Sequence, residues 1–99
     1  MRVRLAPSAL EDLESIDDYT VETWGADQAT MYLKLIWDRF EWIGKDPFRL
    51  RLRPEIHPDC RICFVGRHAI LYRVRVEEVE IARVLHDASD ILGQGRDAF

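Results

Sequence analysis

The side chains that could do chemistry are concentrated in the second half of the chain. Two histidines, His68 and His86, flank a pair of predicted strands, and seven arginines lie between Phe48 and Val76 against only two acids. Such a surface could contact phosphates, form a catalytic face, or bind an acidic protein. Residues 1–46 instead carry ten acidic and five basic side chains. Because the net charge is −4, long-range capture of nucleic acid is disfavoured and a protein partner fits better.

The two cysteines, Cys60 and Cys63, form a C-x-x-C pair. Such a pair can be a redox dithiol or half of a zinc site. Zinc needs four ligands and His57 would supply only a third, while a thioredoxin-like dithiol needs a helix after its first cysteine. Strand-forming residues surround this pair instead. We therefore predict a structural role for both cysteines, with no metal site and no cofactor.

The length and composition indicate a single domain. The chain has 99 residues, of which 47% are hydrophobic and 32% charged. Its apolar runs are too short to cross a bilayer, and no signal-peptide core precedes Glu11. We predict a cytoplasmic protein with no membrane contact. The domain covers residues 1–87, and a tail of residues 88–99 with Gly93 and Gly95 is either frayed or ordered only on binding.

A short strand and a first helix are predicted at the N terminus. Residues 2–5 alternate basic and apolar side chains, which directs Val3 and Leu5 inwards. Ser8 and Glu11 have the spacing of a capping box, which predicts that the helix starts there, and Gly25 ends it. Its predicted apolar stripe consists of Leu10, Leu13, Ile16, Thr20 and Trp24.

The second helix is predicted from Asp27 to Gly44, with more apolar surface than one core face needs. Its core stripe consists of Ala29, Leu33, Ile36, Phe40 and Ile43. A further stripe contains Met31, Leu35 and Trp42, with Trp37 beside it. Either the first helix or a partner must cover this surplus.

Three strands with period-two alternation are predicted after a loop at residues 48–59. Gly66 with Arg67, and Glu77 with Glu78, form the two turns between them. The element order is β-α-α-β-β-β, which predicts an α+β fold. The strands are Cys60–Val65, His68–Val76 and Val79–His86.

With these elements in place, the chain resembles the ParE branch of the RelE/ParE superfamily, the toxins of bacterial type II toxin-antitoxin systems. Four motifs in order carry the resemblance: A-P-S-A-x-x-D-L-x-x-I-x-x-Y from Ala6, W-G-x-x-Q-A-x-x-Y from Trp24, G-x-H-x-I-x-Y-R from Gly66, and I-x-R-V-L-H-D from Ile81. The resemblance implies a helical hairpin packed on a small, mostly antiparallel sheet.

The resemblance also implies a function and two partners. Such a toxin inhibits DNA gyrase and is neutralised by a ParD-like antitoxin, whose ribbon-helix-helix part binds DNA and whose C-terminal segment wraps the toxin. The toxin then meets DNA only indirectly, within a hetero-oligomer. We expect the gyrase contact to involve Arg73, Arg83 and Phe99. We expect the antitoxin to cover the surplus apolar stripe and to pair acids with arginines, at Met31, Leu35, Trp42, Arg49, Arg51, Arg53, Arg61 and Arg73.

RelE-like relatives, which cleave messenger RNA on the ribosome, provide the alternative function. Glu55, Arg73 and His86 could form a nominal catalytic set here. However, Ala69 and Asp87 stand where those relatives carry an arginine and a tyrosine. We therefore predict that the chain is not an enzyme and has no catalytic residue. A ribosome-dependent endoribonuclease remains the alternative, and a module that only binds an antitoxin is a third possibility.

Overall fold

A computed structural model describes residues 1–99 as four strands and three helices. The first six elements follow the predicted order, and the α+β class is confirmed. A third helix follows them, and none of the helices combines the length and apolarity that a membrane span requires. The elements are β1 (Arg2–Leu5), α1 (Pro7–Trp24), α2 (Ala26–Lys45), β2 (Arg61–Val65), β3 (His68–Arg75), β4 (Glu78–His86) and α3 (Ile91–Asp97).

The four strands form one sheet in the order β1-β4-β3-β2. β1 lies parallel to β4 and the other pairs are antiparallel, so the expected mostly antiparallel sheet is confirmed. Leu71 lies opposite Arg83 and Tyr72 lies opposite Ile81, which leaves Ala82 as an extra residue in β4. This bulge exchanges the faces of the residues that follow it, and it explains why the inward positions of β4 shift from Ile81 to Val84.

The two turns of the sheet differ in how well they were predicted. Gly66 and Arg67 connect β2 to β3 as expected, with Val65 paired to His68. The second turn lies one residue earlier than predicted, at positions 76 and 77. Glu77 occupies the left-handed region with φ of 60°. β3 therefore ends at position 75, and the valine that follows is fully in solvent.

α1 and α2 pack as a hairpin on one face of the sheet and enclose what we call the helix-side core. Val3 and Leu5 pack against it as predicted. The buried hydroxyl of Tyr72 donates a hydrogen bond of 2.9 Å to the carbonyl of Pro47, and burial raises the pKa of Tyr72 to about 12. The helix-side core consists of Ala9, Leu13, Ile16, Ile36, Phe40, Ile43, Cys63, Val65, Ile70, Tyr72, Val79, Ile81 and Val84.

The predicted start of α1 was wrong. The helix begins at Pro7, and no side chain caps its first turn, so Ser8 and Glu11 form no capping box. A proline suits the first helical position because its fixed φ is already helical and its missing N–H would have no partner there. Ala9 rather than Leu10 lies on the buried face of the helix, and Trp24 is 69% exposed at its end. Gly25 terminates the helix as predicted.

The other face of the sheet is covered by the loop before β2 and by α3. These segments enclose a second apolar cluster, the loop-side core, against which Ile91 and Phe99 pack. A β-carbon on Gly95 would lie 2.8 Å from Ile56 Cγ2 and 2.9 Å from Leu71 Cδ2, so glycine permits this close approach of α3. The loop-side core consists of Ile56, Cys60, Ile62, Ala69, Leu71 and Leu85.

This arrangement differs from the expectation for the C-terminal tail. Residues 88–99 were expected to be frayed or ordered only on binding, whereas residues 91–97 form α3 in the chain alone. The side chain of Asp90 caps the helix by accepting a hydrogen bond of 3.0 Å from the backbone of Gly93. Gly93 and Gly95 have weak helix propensity, which favoured the prediction of a flexible segment. The contacts of Gly95, Ile91 and Phe99 with the loop-side core compensate for this weak propensity.

The two cysteines lie in different cores. Cys60 belongs to the loop-side core and Cys63 to the helix-side core, and both are buried as free thiols. Burial raises the pKa of both thiols, that of Cys60 to about 11. Such thiols are weak nucleophiles and poor metal ligands, in keeping with the structural role that we predicted.

Candidate functional site

The nominal catalytic set of Glu55, Arg73 and His86 does not form one site. His86 ends β4 and lies opposite His68, whereas Arg73 lies five residues further along β3. At roughly 3.3 Å per residue this separates Arg73 from His68 by about 16 Å along the strand. Arg73 is held there by an ion pair of 2.7 Å with Glu80. Glu55 is exposed on the preceding loop, where its carbonyl accepts a hydrogen bond from Arg96.

A cleft of about 800 Å³ lies where the turn of the helical hairpin meets the start of β3 and the end of β4. Its volume falls in the range of small-molecule sites. His68 at the start of β3 and His86 at the end of β4 both line it, together with Arg83. Its other lining residues are Asp12, Ser15, Ile16, Tyr19, Thr20, Trp24, Gln28, Tyr32, Arg67, Val84, Leu85, Ser89 and Gln94.

A hydrogen-bonded chain fixes the two histidines in this cleft. The hydroxyl of Tyr32 accepts from the backbone N–H of Arg67 at 3.1 Å, so its own proton is free to be donated to His68 Nδ1 at 2.5 Å. The ring of His68 meets that of His86 edge-on, with 5.3 Å between centroids. His86 Nδ1 in turn accepts from the backbone N–H of Ala88 at 3.0 Å. We assign the Nε2–H tautomer to both neutral rings, because each Nδ1 lies within hydrogen-bonding distance of a donor, the Tyr32 hydroxyl or the Ala88 N–H.

Sequence reasoning missed this cleft because its walls come from distant parts of the chain. Tyr32 and His68 are 36 residues apart, and no local spacing pattern connects them. The signal that could have found them is their presence in two of the quoted motifs, as the last residue of one and the histidine of another. A β-carbon on Gly66 would lie 2.7 Å from the ring of Tyr32, so glycine at this position allows Tyr32 to approach His68.

Acidification is expected to destabilise the folded chain through His68. Burial, with His86 as the second cause, lowers the pKa of His68, so the unfolded chain takes up a proton before the folded one does. This destabilisation is absent above the ordinary value of about 6.5 and grows as the pH falls towards the lower folded value. Urea denaturation between about pH 7.5 and 5.5 should show a smaller loss of stability for His68→Gln, whose amide oxygen still accepts from Tyr32. Equal losses in both proteins would contradict this assignment.

The predicted antitoxin-binding stripe of α2 is only partly exposed. Met31 is 66% and Leu35 is 44% exposed, on the side of the helix that faces away from the sheet. Trp42 shares their stripe by spacing but is half-buried, and the guanidinium carbon of Arg49 lies 3.9 Å above its ring. A cation held over an indole is stabilised by the ring quadrupole. Met31 and Leu35 are thus free for a partner, and Trp42 and Arg49 form one unit beside them.

The other arginines expected to contact the antitoxin divide between two places. Arg51 and Arg53 lie on the loop before β2, and Arg61 begins that strand, where its guanidinium donates to the carbonyl of Leu50. β2 is an edge strand whose outer side carries only an isolated bridge between Leu52 and Arg61. Arg73 is not part of this group, because it lies in β3 and pairs with Glu80 of β4.

The three residues expected to contact gyrase are also divided. The guanidinium of Arg73 lies 5.5 Å from the ring of Phe99, which stacks on His57 with 5.1 Å between centroids. Phe99 is half-buried rather than free. Arg83 lies in the cleft, where Asp12 of α1 accepts two hydrogen bonds from its guanidinium, at 2.8 and 2.9 Å. The structure therefore brings Arg73 and Phe99 together and places Arg83 apart.

Comparison with known proteins gives a consistent result. A family model described as the ParE toxin of type II toxin-antitoxin system, parDE, matches residues 3–91. Toxin ParE1 of Mycobacterium tuberculosis is 36% identical over 91 residues, which cover 91% of this chain and 93% of that protein. Toxin ParE1 of Caulobacter vibrioides is 35% identical over 85 residues, which cover 86% and 88%.

A solved structure shares the fold. It is described as the chromosomal ParDE TA system from P. aeruginosa, and it superposes on this chain with a TM-score of 0.78. The alignment covers 87% of this chain and 95% of that one at 22% identity. The helical hairpin on a mostly antiparallel sheet is therefore shared with that protein.

Proposed function

Because this chain belongs to the family of ParE toxins of type II toxin-antitoxin systems, we propose that it arrests growth by binding DNA gyrase. The family match over residues 3–91 is the observation that carries the proposal. Inhibition by binding needs a surface that is complementary to gyrase in shape and charge, and it needs no group that transfers a proton. The chain then acts as a non-enzymatic toxin.

Two features of the cleft and sheet support binding over RNA cleavage. A ribonuclease needs a base for the ribose 2′-hydroxyl and a cation near the phosphate. Here the Nδ1 atoms of His68 and His86 both already accept hydrogen bonds, which leaves neither neutral ring with a free lone pair. Arg73, the cation of the nominal set, is paired with Glu80 at a distance from them, so that set cannot act together, although Arg67 lies in the cleft.

For the gyrase contact we favour the surface around α3 that contains Arg73 and Phe99. The stacked rings of His57 and Phe99, with the guanidinium of Arg73 beside them, combine an aromatic group with a cation, as is common at protein interfaces. Leu92 of α3 is 43% exposed and extends the apolar part. Arg83 lies outside this surface, so the proposal rests on the other residues.

For the antitoxin we propose a ParD-like protein that dimerises through a ribbon-helix-helix DNA-binding part. Its C-terminal segment would cover Met31 and Leu35 with apolar side chains and place acids near Arg49, Arg51 and Arg53. Arg61 contributes less to this contact because its guanidinium already has a partner within the chain. Antitoxin dimerisation would give a hetero-oligomer with at least two toxins, which meets DNA only through the antitoxin in the cytoplasm.

The test is a supercoiling assay with the full chain freed of antitoxin. We expect purified gyrase to be stalled on DNA as a cleaved complex, and an excess of the antitoxin, to be sought in the adjacent reading frame, to restore supercoiling. Unimpaired supercoiling at a large excess of toxin would contradict the proposal. Cut transcripts in a translation extract, lost in His86→Ala, would select the ribonuclease instead. Expression without growth arrest, with the antitoxin still bound, would indicate a module that only binds antitoxin.

A further inference from the structure

The cleft beside His68 and His86 has an aromatic wall that the fold does not use. Tyr19 is 65% and Trp24 is 69% exposed, and both line the cleft. Neither ring packs against another aromatic ring, and neither the hydroxyl nor the indole N–H has a hydrogen-bond partner in the chain. Large aromatic side chains usually gain stability by burial, so two of them exposed in one concave site suggest that a flat apolar group packs there.

The rest of the cleft is rich in unpaired donors. The guanidinium of Arg67 makes no ion pair and no hydrogen bond, although its backbone is held by Tyr32 and Asp87. The Nε2–H groups of His68 and His86 are likewise unpartnered within the chain. A site with free donors and a free cation favours an anionic ligand.

Asp12, the one carboxylate that lines the cleft, does not cancel this preference, and Asp87, whose Oδ1 lies 3.3 Å from His86 Nδ1, is outside the lining. Both oxygens of Asp12 accept hydrogen bonds from Arg83, and one of them also accepts from the backbone N–H of Val84 at 2.8 Å. Its charge is therefore matched within the chain. Gln28 and Gln94 add side-chain amides, which can each donate and accept, to the same lining.

We propose that this cleft binds a free nucleotide, with the base stacked on Trp24 and Tyr19 and the phosphate held by Arg67 and the histidine Nε2–H groups. The amides of Gln28 and Gln94 supply donors and acceptors for the base edge. This site goes beyond the proposed gyrase and antitoxin surfaces and shares no residue with either of them.

A single nucleotide fits better than a nucleic-acid strand. The α1 helix carries five acidic residues besides Asp12, and none of the five lines the cleft. The phosphates of a strand that continued beyond the cleft would be repelled by them, whereas one phosphate at Arg67 stays within the cleft. These five residues are Glu11, Glu14, Asp17, Asp18 and Glu22.

Calorimetric titration of the full chain with AMP, GMP, CMP and UMP tests the proposal. We expect saturable binding of at least one of them with a Kd below about 1 mM, and at least about tenfold weaker binding of its nucleoside and of inorganic phosphate. No saturation by any of the four at about 10 mM would overturn the proposal. Equal affinity for phosphate alone, or tighter binding of a tetranucleotide, would also overturn it.

Two pairs of variants locate the site. Arg67→Gln and Trp24→Ala should each weaken binding at least about tenfold. Arg75→Gln and Trp37→Ala change the same residue types at exposed positions outside the cleft, and both should bind like the parent. All four side chains are substantially exposed, so folding should be retained, which circular dichroism checks. Equal affinities in all four variants would refute the location and, with it, the proposed site.

Discussion

Asp12→Ala is expected to lower the free energy of unfolding by about 3 kcal/mol. The carboxylate joins α1 to β4 through two hydrogen bonds from the Arg83 guanidinium and one from the backbone N–H of Val84. Both side chains are mostly buried, with 15% of Asp12 and 25% of Arg83 exposed. Removing the acid leaves a cation and a backbone donor without partners in a partly dehydrated place, which costs more than the loss of a surface ion pair.

Urea denaturation of the parent and two variants measures this effect. The matched control is Asp38→Ala, which removes a carboxylate paired with Lys34 at 2.9 Å on the exposed side of α2. Because water solvates both of those partners, the control should unfold at the same urea concentration as the parent, within error. Similar midpoints for Asp12→Ala and Asp38→Ala would contradict the prediction, because the link between α1 and β4 would then stabilise the fold no more than a surface ion pair does.

The ion pair between Asp12 and Arg83 illustrates that counting arginines in the sequence overestimates the exposed basic surface. The arginine-rich half of the chain looks like an exposed basic surface, yet several of its guanidinium groups are used within the fold. Arg83 is matched by Asp12, Arg73 by Glu80, and Arg61 by the carbonyl of Leu50. Sequence alone does not reveal these partners, because Asp12 lies 71 residues from Arg83, Glu80 faces Arg73 only through the register of β3 and β4, and the partner of Arg61 is a backbone carbonyl. The basic surface available to a partner is therefore smaller than predicted.

The periodic features of the sequence predicted most of the fold. The apolar stripe of α2 reflects one dominant buried face, and the apolar run of β3 reflects burial on both faces of the sheet, and both elements were placed to within a residue or two. Prediction failed where a contact between distant segments decides the outcome. Trp24 fits the stripe of α1 by spacing, but no element packs over the end of that helix, and the side chain stays 69% exposed. α3 was missed for the opposite reason, since its stability comes from the loop-side core.

The candidate sites were predictable to different degrees. The exposure of Met31 and Leu35 was predictable, because a helix with one core face has no internal use for a second apolar stripe, and their role in antitoxin binding stays a prediction. The cleft was not found, because it depends on Tyr32 reaching His68 across the gap between α2 and the start of β3. A residue's type and spacing indicate its face on an element, whereas a site between elements also requires their packing.

The largest effect on the proposed antitoxin contact is expected from Leu35→Glu. If the antitoxin covers this stripe with apolar side chains, a carboxylate there loses its water without gaining a partner. We expect affinity for the antitoxin to fall about 100-fold, which corresponds to about 2.7 kcal/mol. Growth arrest should then persist when the antitoxin is co-expressed, because the gyrase contact that we propose lies on another surface.

Leu10→Glu provides the control for this prediction. Leu10 is 48% exposed on α1, against 44% for Leu35 on α2, so both substitutions place a carboxylate at a helical position of similar exposure. Only Leu35 lies beside Met31 and the unit of Trp42 and Arg49. The antitoxin should therefore still neutralise Leu10→Glu, and surface plasmon resonance should give it the affinity of the parent. Equal losses of affinity in the two variants would move the contact away from this stripe, and full affinity in Leu35→Glu would remove the stripe from the antitoxin interface altogether.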